Sequence, residues 1–256
     1  MILALANQKG GVGKTTVAVN LAAALAERGR RVLLVDTDPQ ANASSGLGIR
    51  VSAERSLYAA LVGRVPVEKL LVKTPFGLDL LPSSVELAGA EAEFLELPER
   101  ERLLQRTLSP LFSRYHFVLV DLPPSLGILT VNGLCASQGV IIPLQCEYYA
   151  LEGLSLLVRT LRRVREGLNR DLFLFGIILT MYDKRNRLSR EVAEEVRRHF
   201  RGTVFEEMIP RTVRLSEAPS HGKPITVYDP RGPAAEAFRR LAKEVEERAR
   251  QEKASG

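Results

Sequence analysis

Residues 7–16 read Asn-Gln-Lys-Gly-Gly-Val-Gly-Lys-Thr-Thr, and this stretch decides the fold. It follows a short apolar run, residues 2–6, and opens an Ala/Leu-rich segment, residues 15–28, that closes at Gly29. A continuous apolar run reads as a strand buried on both faces, and an Ala/Leu-rich segment closed by glycine reads as a helix. A glycine-rich turn between strand and helix presents successive backbone N–H groups to one anion, and the helix N-terminus adds partial positive charge. Gly10, Gly11, Val12 and Gly13 form that cradle, and Thr16 extends it into the helix. Lys14 is spaced to reach the β- and γ-phosphates of a nucleotide, and the Thr15 hydroxyl to hold Mg²⁺. The strict phosphate-loop pattern has glycine at position 8; here Gln8 stands there, followed by Lys9. Lys9 is too far forward to serve the loop's own γ-phosphate. It is placed to reach a nucleotide held by a second copy of the chain.

Working outward, the same pattern recurs. Residues 32–35, 78–81, 117–120, 140–142 and 173–179 are further apolar runs. Between them lie stripes at helical spacing: Leu154, Leu157, Val158 and Leu161; Leu188, Val192, Val196 and Phe200; and Phe238, Leu241 and Val245, this last opened by Pro233. Strand–helix alternation predicts an α/β fold, a single-domain twisted and mainly parallel sheet with helices on both faces. Residues 44–100 are the least regular and are expected to hold short helices and loops. The expected domain spans residues 1–250, with a frayed tail over 251–256.

In a parallel sheet, ligands gather at the carboxyl ends of the strands. Two acidic motifs end strands at that edge: Asp36-Thr37-Asp38-Pro39-Gln40 and Asp121-Leu122-Pro123-Pro124. Asp121 suits a magnesium role, direct or through water, and Asp38 suits positioning the attacking water. The candidate metal set is Thr15, Asp38 and Asp121. Either carboxylate could instead cap the segment after it.

Composition narrows the class. The chain has 256 residues, 45% hydrophobic and 26% charged, which excludes disordered and collagen-like architecture. No apolar run is long enough for a membrane span, and the basic start of a secretory signal is absent, so the cytosol is the expected compartment. Two cysteines, Cys135 and Cys146, are too few for a disulfide framework or a four-ligand zinc site and read as small buried side chains. His116, His199 and His221 are dispersed and suggest no metal. Tyr148 and Tyr149 fit core or interface equally. The net charge of +6 is localised: residues 155–214 hold 14 Lys/Arg and 8 Asp/Glu, and the other 196 residues hold 22 of each sign. That is either a solvated Arg-rich helical surface or an anion-binding face, with nucleic acid the first candidate. No aromatic–basic alternation suggests stacking on unpaired bases.

With those motifs in place, the stretch Lys9 to Thr16 resembles the deviant Walker A motif of the ParA/MinD superfamily. Asp36 to Gln40 is similar to its switch I, and Asp121 to Ser125 to its switch II. The runs Gln145-Cys-Glu-Tyr-Tyr-Ala-Leu-Glu-Gly153 and Ile209-Pro-Arg-Thr-Val-Arg-Leu-Ser-Glu-Ala-Pro219 resemble the ParA/Soj branch, and the similarity spans residues 2 to about 245. The resemblance implies a weak Mg²⁺-dependent ATPase of partitioning type, forming an ATP-sandwich dimer. Lys9 would act on the partner's nucleotide. Lys14, Thr15 and Thr16 would bind phosphate and magnesium, and Asp38 would be needed for hydrolysis. Pro210, with the Arg211 and Thr212 backbone and Met181, would border the adenine. The ATP-dependent homodimer would bind duplex DNA without sequence preference, contacting phosphates through Arg185 and Arg214. A ParB-type partner would stimulate hydrolysis and release. The protein would then be nucleoid-associated.

Arg190, Arg197, Arg198 and Arg201 are expected on a solvated helix face beside Glu191, Glu194 and Glu195. Longer plasmid relatives carry an N-terminal helix-turn-helix; with the phosphate loop beginning by residue 9, operator-specific autorepression is not expected. The alternative is a MinD-like membrane-cycling ATPase, which needs an amphipathic C-terminal helix. Residues 244–253 offer only Val245 and Ala249 as apolar members. A metal-carrier or reductase relative would need a cysteine soon after switch II, and residues 125–130 have none.

Overall fold

Each apolar run forms a strand in a computed structural model that describes residues 1–147 and 150–255. In chain order the first half comprises β1 (Ile2–Leu5), α1 (Lys14–Glu27), β2 (Val32–Asp36), α2 (Asn42–Gly46), α3 (Leu57–Leu61), β3 (Val72–Lys73), β4 (Asp79–Leu81), α4 (Glu86–Leu95) and α5 (Leu103–Leu108). The second half comprises β5 (Phe117–Asp121), α6 (Ile128–Ala136), β6 (Gly139–Gln145), α7 (Ala150–Gly167), β7 (Phe173–Thr180), α8 (Arg187–His199), α9 (Val213–Glu217), α10 (Ile225–Tyr228) and α11 (Pro233–Ser255). The region expected to be irregular does hold short helices, together with β3, which the sequence did not reveal. Tyr148 and Tyr149 lie outside the described residues.

The sheet runs β3-β4-β2-β5-β1-β6-β7. Every pairing is parallel except β3 with β4. Side chains alternate across it, so consecutive residues feed two cores. Ala4, Leu33, Val35, Val118, Val120 and Ile142 face the layer that includes α3 to α8. Leu3, Leu5, Leu34, Leu119 and Ile141 face the layer of α1, α10 and α11. This two-sided burial is why the strands read as continuous apolar runs.

Sequence chemistry sets the helix ends. Gly29 takes φ +75°, the left-handed turn that follows a helix. Asn186 caps α8 by accepting from the Leu188 N–H at 2.9 Å. The last helix extends through Ser255, across the stretch expected to fray. Its Glu246, 4% exposed, accepts from Arg28 at 2.9 Å and Arg30 at 2.7 Å, tying α11 to the end of α1. No helix among the described residues is long and apolar enough to cross a membrane.

Candidate nucleotide site and basic surface

The loop between β1 and α1 lies at the carboxyl edge of the sheet. Gly11 and Gly13 hold φ of +77° and +84°, a region that disfavours any side chain. Asn7 braces the loop: its Oδ1 accepts from the Lys9 N–H at 3.0 Å, and its Nδ2 donates to the Pro143 carbonyl at 2.7 Å. The Thr180 hydroxyl donates to the Val12 carbonyl at 2.8 Å, joining the loop to the end of β7. No side chain caps α1, whose first residues are Lys14, Thr15 and Thr16. An uncapped helix start beneath a glycine turn is built to receive an anion.

Lys9, Gly10, Gly11, Val12, Gly13, Lys14, Thr15, Thr16, Asp38 and Met181 line one cavity of about 520 Å³. A neighbouring cavity of about 420 Å³ is lined by Pro210, Arg211 and Thr212, and shares Gly13, Thr16, Met181 and Pro219 with the first. The two together suit a phosphate end and a base end. Met181 sits between them with φ +51°, an uncommon conformation for a non-glycine residue and one that concentrates at functional sites.

Asp121 is fully buried, with the Lys14 ammonium 3.9 Å away. Neither of its carboxylate oxygens has a hydrogen-bond partner of ordinary geometry. Burial pushes its carboxyl up to about 6, while Lys14 and the Thr15 hydroxyl pull it down and Asp38 adds to the rise. An orphaned buried carboxylate beside a lysine and a threonine hydroxyl suits a magnesium ion, whose remaining ligands would be water and phosphate oxygens. Among the described residues no cluster of three His, Cys, Asp or Glu side chains could hold a metal unaided.

The switch I aspartates differ in kind. Asp36 pairs in register with Asp121 across β2 and β5 and is fully buried. Its Oδ2 accepts from the Ser44 N–H and hydroxyl at 2.8 and 2.7 Å, and its Oδ1 from the Asp38 N–H at 3.2 Å. Burial, and then the Asp121 charge, push it up to about 7 against those bonds. Asp38 is 5% exposed and lines the cavity. Its Oδ1 accepts from the Gln40 N–H at 2.9 Å, so it also shapes its own turn. Its carbonyl accepts from the Ser83 hydroxyl at 2.7 Å. Asp36, Ser44 and Ser83 thus fix Asp38, and sequence reasoning assigned none of them a role. The only sequence signal was the paired spacing of Asp36 and Asp38.

Lys9 behaves differently from Lys14. Its side chain is 53% exposed and pairs with Glu147, itself 45% exposed. Glu147 lies in the Gln145 to Gly153 motif, and nothing in its spacing disclosed this contact. The cavity also takes in Asn20, Asn42, Ser45 and Lys223, which lie outside the motifs, and Gln40, Pro124 and Pro219, which lie within them without an assigned role.

Arg185 is exposed on the turn after β7, where its N–H bonds the Asp183 carboxylate at 2.9 Å. Arg214, on α9, is exposed, pairs with Glu217 at 3.2 Å and lies 6.0 Å from the Tyr228 ring centre. On α8, Arg187 pairs with Glu191 and Arg198 with Glu195, as a solvated face would. Cys135 and Cys146 are both buried, and burial pushes both thiols up to about 11.

A phosphate loop with lysines at both ends, opposed by two strand-end carboxylates on a parallel sheet, defines a P-loop nucleoside triphosphatase of the ParA/MinD type. A family profile described as an AAA domain matches residues 1–174. The sporulation initiation inhibitor protein Soj of Bacillus subtilis is 53% identical over 95% of this chain and 97% of its own. The chromosome partitioning protein ParA of Caulobacter vibrioides is 50% identical over 99% of this chain and 97% of its own. Among solved structures, cobyrinic acid a,c-diamide synthase from Mycobacterium smegmatis, with a bound ATP analogue and magnesium, has a TM-score of 0.83. It is 41% identical, over 94% of this chain and 92% of that one. The chain belongs to the ParA/Soj family of chromosome-partitioning ATPases.

Proposed function

We propose that this protein is a slow ATP-driven partitioning switch, in which two chains close around two ATP molecules and the resulting dimer holds duplex DNA. The observation that carries the nucleotide reading is Asp121, a buried carboxylate without a hydrogen-bond partner of ordinary geometry, beside Lys14 and below an uncapped helix start. The fold is also similar to that of a relative solved with an ATP analogue and magnesium.

In this reading Gly10 to Gly13 and the first turn of α1 receive the phosphates by backbone N–H groups, and Lys14 neutralises charge on the β- and γ-oxygens. Thr15, Asp38 and Asp121 are the residues that would hold the magnesium. Bound there, magnesium neutralises charge on the phosphate oxygens. Asp38 orients the attacking water, and Asp36, Ser44 and Ser83 keep Asp38 in place. Met181, Pro210, Arg211 and Thr212 border the base. Lys9 leaves Glu147 and crosses to the nucleotide of the second chain. Among the described residues no arginine lines the phosphate-end cavity, so turnover is slow until a ParB-type partner joins.

Dimerisation brings two copies of Arg185 and Arg214 onto one assembly. Contacts to backbone phosphates make DNA binding independent of sequence and sensitive to salt. ATP then controls DNA affinity by controlling assembly, which is linkage between two sites. The expected localisation is on the nucleoid.

Two variants test the nucleotide part by size-exclusion light scattering and single-turnover hydrolysis. Lys14→Ala abolishes ATP-dependent dimerisation. Asp38→Ala retains it and traps the ATP dimer. Wild-type turnover in Asp38→Ala would remove Asp38 from the reaction.

A further inference from the structure

Helix α4 is apolar on two sides. Leu87, Ala90 and Phe94 face inward and are buried. Val85, Ala88, Gly89, Ala92 and Leu95 fall on the outward side at spacings of three and four, and all are exposed. Val85 is 68% and Leu95 53% exposed, and Leu97 just beyond is 40% exposed. A helix with a second apolar side ordinarily buries that side as well, and exposed apolar surface of this kind marks an interaction site.

The rim of this face is uniformly acidic. Residues 85–99 include five glutamates and no lysine or arginine, in a chain whose net charge is +6. Glu86, Glu93 and Glu96 form no ion pair among the described residues. A nucleic acid is repelled by such a rim, and so is the same helix of a second copy. A cationic segment with an apolar side is attracted, and the small residues Ala88, Gly89 and Ala92 let it approach closely.

Both ends of α4 are fastened to the acidic loops of the nucleotide site. Before it, the Ser83 hydroxyl donates to the Asp38 carbonyl at 2.7 Å, and the Ser83 N–H donates to the Ser44 hydroxyl at 3.1 Å. After it, Asn132 on α6 donates to the Arg100 carbonyl at 2.7 Å and accepts from the Leu104 N–H at 3.0 Å. Helix α6 begins just past the loop that follows Asp121, and its Thr130 hydroxyl bonds back to Ser125 in that loop. The segments on either side of α4 are therefore hydrogen-bonded to the Asp38 loop and to the helix that follows the Asp121 loop.

We infer that the outer face of α4 is the docking surface for a cationic amphipathic segment of the stimulating protein, and that occupancy is transmitted to Asp38 through Ser83 and to the Asp121 loop through Asn132. This deepens the proposed cycle by naming the face its partner uses, and it rests on that reading.

The test uses the full chain, the ParB-type protein of the same organism and a synthetic amphipathic Leu/Lys peptide. The variants are E93K/E96K, which reverses the rim, and L95S, which removes the apolar anchor. ATP turnover is followed as the ParB-type protein is added, and peptide binding by fluorescence anisotropy. The expected result is that half-maximal stimulation needs at least about tenfold more partner for either variant. Basal turnover and ATP-dependent DNA binding stay at the wild-type level. Stimulation curves that coincide with wild type would overturn the proposal. So would a matching change in basal dimerisation, which would assign α4 to the contact between two copies. A wild-type chain that ignores the ParB-type protein yet binds the peptide in an E93K/E96K-sensitive way would refute the partner named in the cycle and keep α4 as a cationic docking face. Binding of neither probe would overturn both.

Discussion

Glu147→Gln isolates what the ion pair with Lys9 is worth. The two side chains are 53% and 45% exposed, so water screens the pair on both sides. Exposed pairs of this kind stabilise by about 0.2–1 kcal/mol. Releasing Lys9 therefore favours any arrangement in which it reaches a second chain by at most about fivefold, since 1.4 kcal/mol corresponds to a factor of ten. The removal of Lys9 itself should behave differently. A cation acting inside a closed, water-poor site on developing phosphate charge is worth about 100-fold or more in rate. The assay is ATP turnover as a function of protein concentration, below and above the dimerisation midpoint, with the dimer fraction read by light scattering. Each dimer releases two such pairs, so for Glu147→Gln the midpoint should fall by between about twofold and thirtyfold, with turnover at saturating concentration unchanged. For Lys9→Ala the saturating turnover should fall by at least about 100-fold. The reasoning fails if Glu147→Gln depresses saturating turnover as Lys9→Ala does, because Glu147 would then act in the reaction and not on the resting position of Lys9. It fails equally if the midpoint rises, because the pair would then support the dimer.

Two further predictions concern the scaffold. With thiols pushed up to about 11, Cys135 and Cys146 expose almost no thiolate at pH 8. Alkylation by iodoacetamide in the native state should be about 100-fold or more slower than for an unfolded control, with both sites reacting once the chain unfolds. Fast labelling of either native thiol would contradict their burial. Gly176→Ala places a methyl group against the buried ring of Phe205 from β7. It should lower stability by about 1–3 kcal/mol in urea unfolding, with nucleotide affinity intact, and an unchanged midpoint would show that the ring yields freely.

Much of this was legible in the sequence because it rests on local pattern. The strands are buried on both faces, so their apolar runs stand out without homologues. The loop declares itself because Gly11 and Gly13 need backbone angles that other residues resist, and because Lys14 and Thr15 must follow at fixed spacing. The strand β3 was not legible: two residues, Val72 and Lys73, carry no period, and their pairing is set by β4. The extent of the last helix was not legible either: Glu246 and the apolar stripe ending at Ala249 keep α11 packed, and the helix continues beyond them to Ser255. The network from Asp36 through Ser44 and Ser83 to Asp38 was hidden for a different reason. Its hydrogen bonds join residues up to 45 positions apart, and serines carry no pattern that announces such a partner. The contact of Lys9 with Glu147, across 138 positions, is equally silent.

The most direct test of the switch is binding to a random-sequence duplex with ATP, with ADP and without nucleotide, over a salt series. Arg185 and Arg214 from two chains give about four phosphate contacts, so log K against log salt should fall with a slope of about −3 to −4. Binding should be tight only with ATP, and Arg214→Ala should weaken it and flatten the slope by about 2. Equal affinity in all three nucleotide states would contradict the account, because the basic surface would then act without assembly.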